Sequence, residues 1–124
     1  MIFKDDFIFI EREISQIPWI KIFTNDGKKE LSFCDKDTIN RLFEAVLISE
    51  KTMLEFYKPK KINIASFANY VPRVHFHVMA RFENDDFFPE SMWGKKQRDL
   101  EIDFCKDFDS FCKKLAKNLK ICQI

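Results

Sequence analysis

Hydrophobic and polar positions alternate with a period of two near the start of the chain. In DDFIFIERE, Phe7, Phe9 and Glu11 fall on one side and Ile8, Ile10 and Arg12 on the other, the pattern of a strand. WIKIFT, Trp19 to Thr24, repeats it. SQIP between the two runs and NDGKK after them supply turn residues, so the chain opens as an antiparallel hairpin followed by a tight reversal at Asp26-Gly27. From Asp35 the period changes. Ile39, Leu42, Phe43, Val46, Leu47, Met53, Leu54 and Tyr57 recur at spacings of three and four, which predicts one long amphipathic helix. Asp37 or Thr38 is expected to cap it, and Pro59 in KPKK to end it. KINIASF and VHFHVMARF then read as two strands joined by the bend ANYVP. Beyond the loop ENDDFFPESMWGKK, an apolar stripe of Phe108, Phe111, Cys112, Leu115, Leu119 and Cys122 predicts a second helix over about 106–121. Asp107 and Asp109 lie early in it and Lys113, Lys114, Lys117 and Lys120 late, the polarity a helix dipole favours. Strands, helix, strands and helix in this order predict an α+β fold with an antiparallel sheet, rather than parallel βαβ units.

Length adds that 1–124 is one domain, with enough chain to bury a core without disulfides or a structural metal. A net charge of +1 and 33% charged residues give no basic footprint for nucleic acid. No apolar run reaches the roughly 20 residues of a membrane span, and MIFKDDFIFIE lacks the apolar core and cleavage site of a signal peptide. The expectation is a cytoplasmic protein without membrane or nucleic-acid partners. Cys34, Cys105, Cys112 and Cys122 show no tight ligand spacing and read as reduced thiols. With 2 Gly and 4 Pro there is no linker or low-complexity tract to divide the chain.

The candidate chemistry lies in the second pair of strands. Both histidines of the chain, His75 and His77, stand two residues apart in VPRVHFHVMARF. Alternation on a strand puts them on one face, with Cα atoms about 7 Å apart, and sends Val74, Phe76 and Val78 to the other. Two imidazoles so placed flank a group the size of a phosphate. One attacks phosphorus through a neutral ring nitrogen and keeps its other nitrogen protonated, while the second serves an oxygen as an acid. The same pair is also half of a metal site, which needs further ligands that Glu83, Asp85 and Asp86 do not supply by any known spacing. A rim pair without chemistry and a pH-sensing pair at an interface stay open as well.

The stretch KINIASFANYVPRVHFHVMARFENDDFFPESMWG resembles the signature region of the histidine triad (HIT) family, whose motif is His-φ-His-φ-His-φ-φ with φ apolar. RVHFHVM supplies the second and third histidines as His75 and His77, with Arg73 at the first position. The similarity extends to a bacterial branch that commonly lacks the first histidine, and it runs from about Ile10 to Gly94, leaving the last helix outside. It implies a roughly five-stranded antiparallel sheet with helices on one face, a homodimer, and a nucleotide hydrolase or nucleotidyl transferase that requires no cofactor or metal. By position His75 would attack the α-phosphorus of a purine nucleotide, adenine by expectation, in a phosphoramidate or dinucleoside polyphosphate. His77 would hydrogen-bond the phosphate or leaving group. Asn63 and Asn69 would contact phosphate oxygens, Glu11 or Glu13 the ribose hydroxyls, and apolar residues of the first hairpin the base. Trp93, like Trp19, either packs or stacks on the base. Two departures bear on substrate choice. Glu90 stands where many relatives have glycine after Pro89, and Arg73 brings a fixed charge in place of the first imidazole. Arg73 is either a phosphate clamp on the histidine face or a solvent-facing residue whose carbonyl orients His75. A nucleotide-binding module without efficient catalysis is the alternative function.

Overall fold

A computed structural model of the chain describes residues 1–121. Five strands form one antiparallel sheet: β1 (Phe3–Lys4), β2 (Ile8–Arg12), β3 (Trp19–Thr24), β4 (Lys61–Ala65) and β5 (His75–Arg81), in the order β1-β2-β3-β5-β4. The β2–β3 hairpin and the β4–β5 pair follow the alternation in the sequence. Strand β1 has no such signal, because two residues paired with Phe9 and Ile10 are too short to show a period. The reversal after β3 passes through Gly27 at φ 67, where its lack of a Cβ removes the steric cost.

Ile8, Ile10, Ile20, Ile22, Val78 and Ala80 point to one side of the sheet and are fully buried. Helix α1 (Lys36–Tyr57) lies against them, and α2 (Phe108–Ile121) packs on α1. Asp35 caps α1, its carboxylate accepting from the Thr38 backbone N–H at 2.8 Å, which corrects the expected Asp37 or Thr38. Asp37 falls inside the first turn instead. At the other end Lys58 takes a left-handed conformation and donates its N–H to the Leu54 carbonyl, after which Pro59 prevents continuation.

The buried face of α1 runs through Thr38, Leu42, Ala45, Val46, Ser49, Thr52 and Met53. Phe43, Leu47 and Leu54, assigned to the core stripe by spacing, are exposed. The apolar arc is wider than the sheet it covers, and its outer edge is left over. Helix α2 buries Phe108, Phe111, Leu115 and Leu119 and begins after Asp107, which sits outside the helix at φ 54. Its polar ties to α1 are Asn118 donating to Thr52 Oγ1 at 3.0 Å and Arg41 Nη2 donating to the Leu119 carbonyl at 3.0 Å. Cys34, Cys105 and Cys112 are free thiols, and the expectation for Cys122 lies outside the described residues. No helix among the described residues is long and apolar enough to cross a membrane.

Candidate active site

The second face of the sheet carries both histidines. Cross-strand register sets Trp19 beside Met79, Lys21 beside His77 and Phe23 beside His75, with Phe9 and Glu11 flanking on β2. Aromatic rings continue across it. Phe9 stacks on Phe23 (centroids 4.9 Å apart), Phe23 on His75 (4.7 Å), and the two imidazoles meet edge to face at 5.0 Å. Trp93 closes the row against His77 at 4.9 Å and Trp19 at 5.3 Å.

Each imidazole has one nitrogen tied down, and the ties differ in sense. His75 Nδ1 lies 2.8 Å from the Arg73 carbonyl, which only accepts, so Nδ1 bears a proton and, in the neutral ring, Nε2 keeps the lone pair. His77 Nδ1 accepts from the indole Nε1–H of Trp19 at 3.0 Å, and an indole only donates, so the proton of His77 sits on Nε2. The two side chains thus present one acceptor nitrogen and one N–H from adjacent positions. His77 is 8% exposed, and burial, assisted by the charges of His75 and Lys21, pushes its pKa down to about 4. It is neutral at pH 7. A neutral His77 that gave up its Nε2 proton would become an imidazolate, so the N–H it presents is suited to donating a hydrogen bond.

A pocket of about 400 Å³ opens over the pair. Of the residues expected at the site, His75, His77, Asn69, Glu13 and Trp93 line it. Asn63, Arg73 and Glu11 do not. Asn63 Oδ1 accepts from Arg81 Nη1 at 2.8 Å, which ties it to a buried cluster rather than to the pocket. The Arg73 guanidinium is neither a clamp nor turned to solvent. It donates to the Thr24 carbonyl at 2.6 Å and covers Phe9 and Phe23, its Cζ 5.3 and 5.6 Å from their centroids. Its backbone carbonyl alone meets the histidine pair. Glu11 lies across from Lys21 on the sheet, and Glu13, one turn of the strand pattern further, is the acid that reaches the cavity.

Lys21 and the neighbours of Asn69 in the Phe67–Val71 segment escaped the sequence reading as parts of the wall, and so did Trp19 as the partner of His77. Lys21 Nζ pairs with Glu13 Oε1 at 3.2 Å, and its side chain is 22% exposed. Alternation placed Trp19 and Lys21 on one face, but only the pairing of β3 with β5 shows that this face is the one with the histidines.

Trp93 arrives on the loop after β5, and a buried carboxylate holds that loop. Asp85 accepts from Arg81 Nε and Nη2 at 3.0 and 3.1 Å and from the backbone N–H groups of Phe82, Phe87 and Phe88 at 2.8 to 3.0 Å. Burial alone would raise its pKa, and these hydrogen bonds outweigh it and keep the carboxyl below its ordinary range. Asp85 is therefore committed to structure. No group of three His, Cys, Asp or Glu side chains among the described residues is arranged to hold a metal ion.

No protein-family model matches the chain, and no curated protein matches it. Among solved structures it is similar to a histidine triad protein from Bradyrhizobium japonicum, with 22% identity and a TM-score of 0.77 over 95% of this chain and 88% of that one. A histidine triad protein from Marinobacter aquaeolei follows at 22% and 0.73, covering 97% and 88%. One from Sinorhizobium meliloti gives 24% and 0.72 over 94% and 87%. The uncovered share of this chain is shorter than α2, so the likeness reaches into the last helix, which the sequence motifs had left outside. The five-stranded antiparallel sheet, the helices on one face and these likenesses agree: the chain has the histidine triad fold.

Proposed function

We propose that the chain is a HIT-type nucleotide hydrolase or nucleotidyl transferase acting on a purine nucleotide, with adenine as the expected base. The complementary protonation of the two imidazoles in one pocket carries this reading. His75 Nε2 has the lone pair and, through Nδ1–H and the Arg73 carbonyl, the orientation of a nucleophile. It forms a bond to the α-phosphorus, and the bond from phosphorus to the leaving group breaks, the electron pair departing with that group. The phosphorylated ring is cationic, and the Arg73 carbonyl facing Nδ1–H stabilises it. Water then attacks phosphorus and gives up one proton to solvent, the N–P bond breaks and returns its pair to His75, and the nucleoside monophosphate leaves. His77 Nε2–H holds a phosphate oxygen throughout. Asn69 at the rim donates to the same group, and Glu13 accepts from ribose hydroxyls.

The test is substitution of the nucleophile. His75→Ala is expected to abolish release of AMP from diadenosine polyphosphate while AMP still binds within a few-fold of the parent. Acid-quenched trapping with labelled substrate should label the parent and not the variant, and equal labelling of both would remove His75 from the nucleophile's role. A parent that binds AMP and never turns substrate over would make the chain a binding module.

A further inference from the structure

We infer that the site is built for phosphoanhydrides, whose leaving group departs as an anion, and that Lys21 is the cation that receives it. The inference rests on the nucleotide reading above and specifies its substrate class. Two independent observations lead to it.

The first is that neither imidazole facing the reacting atoms is a source of a proton for the leaving group. His75 keeps its Nδ1 proton in the hydrogen bond to Arg73, and His77 is held neutral by the Trp19 indole with its single proton on Nε2. Neither histidine releases a proton without becoming an anion. An amine leaving group requires protonation as its bond to phosphorus breaks, whereas a phosphate or nucleotide leaves with the bonding pair as an already stable anion.

The second observation is where the positive charge lies. Arg73, the cation next to the motif, is spent on the Thr24 carbonyl and the Phe9–Phe23 stack. Among the described residues lining the pocket, Lys21 is the one cationic side chain. It stands directly across from His77 in the β3–β5 register and is near enough for its charge to depress the His77 pKa. Its ammonium has three N–H donors, of which Glu13 takes one and two remain for an anion. A phosphate beyond the attacked phosphorus therefore meets the His77 N–H and the Lys21 ammonium together, a charge-assisted contact that an uncharged leaving group does not make.

Binding of AMP and of α,β-methylene-ADP, which carries the extra phosphate and resists cleavage at the attacked bond, tests the assignment by calorimetry. The parent is expected to bind the ADP analogue about tenfold or more tightly than AMP, the range of one charged hydrogen bond. Lys21→Met should abolish that preference by weakening the ADP analogue about tenfold more than AMP, and Lys21→Arg should retain it. An unchanged preference in Lys21→Met, or an equal loss for both ligands, overturns the role of Lys21. A parent that binds neither ligand overturns the nucleotide reading itself. In turnover, hydrolysis of diadenosine polyphosphate should exceed that of adenosine phosphoramidate and the ratio should collapse in Lys21→Met. A parent that prefers the phosphoramidate rejects the anhydride class.

Discussion

His77 shows how one hydrogen bond decides what an imidazole does. The Trp19 indole fixes its protonation, and burial keeps it neutral, so it presents an N–H to the pocket and enters stability as a proton-linked group. In the unfolded chain it protonates near the ordinary value of 6.5, and in the folded chain only near 4. Between those values unfolding takes up a proton, so the stability contribution is complete above pH 6.5 and falls as pH drops toward 4. The full loss is on the order of 3 kcal/mol. Urea unfolding across this window should show it for the parent, and His77→Asn, which does not titrate, should flatten the slope. Equal slopes in the two proteins would mean that His77 is solvated and its bond to Trp19 does not persist. Arg73 is the counterpart in which the backbone outweighs the side chain. Its carbonyl positions His75, and its guanidinium, anchored on Thr24 and the Phe9–Phe23 stack, fixes that carbonyl in place.

At the scale of elements, the last helix is a structural part of the core rather than an appendage. Leu115 and Leu119 are fully buried against α1, and Arg41 and Asn118 bind the two helices through polar contacts. Leu115→Ala is expected to cost about 2–5 kcal/mol, measured as a lowered denaturation midpoint at unchanged slope. A cost below about 1 kcal/mol would mean that the helix packs loosely. The elements themselves were largely legible in the chain, since period-two runs gave β2 and β3 and period-3.6 runs gave α1 and α2, all from local spacing. The cap was missed because Asp35, Asp37 and Thr38 are all able to cap, and the choice depends on where the preceding turn at Leu31–Phe33 delivers the chain. The histidine pair was legible for the same local reason, two residues on one strand. Trp19 and Lys21 were not assigned to the site, because they meet His77 across more than 50 residues of sequence through the β3–β5 register. The placement of Arg73 likewise depends on Thr24 and Phe9, which no spacing within VPRVHFHV identifies.

For the whole molecule, the exposed outer edge of α1 is the feature that a single copy of the chain leaves unexplained. Phe43, Leu47 and Leu54 emerge on it, and Ile64 emerges on β4, the strand at the edge of the sheet on the side that α1 covers. Phe43 is braced edge-on against Phe76 at 5.6 Å, so this surface is tied to the strand that carries the histidines. An apolar patch beside an unpaired strand edge offers a second copy both a hydrophobic face and free backbone hydrogen-bonding groups, and a two-fold axis lets the same surface serve both partners. The expected outcome is a dimer at micromolar concentration in sedimentation equilibrium. Leu47, 63% exposed, tests it with the least disturbance to the monomer. A charge there would cost little in a free chain but would be desolvated in the dimer, so Leu47→Glu should shift the equilibrium to monomer with less than about 0.5 kcal/mol change in the monomer's own stability. None of the residues that line the pocket lies on the outer edge of α1, so the dissociated variant should still bind AMP. A parent that sediments as a monomer at every concentration would show that the outer edge of α1 serves another purpose, and a monomeric variant that loses AMP binding would show that the partner steadies the site.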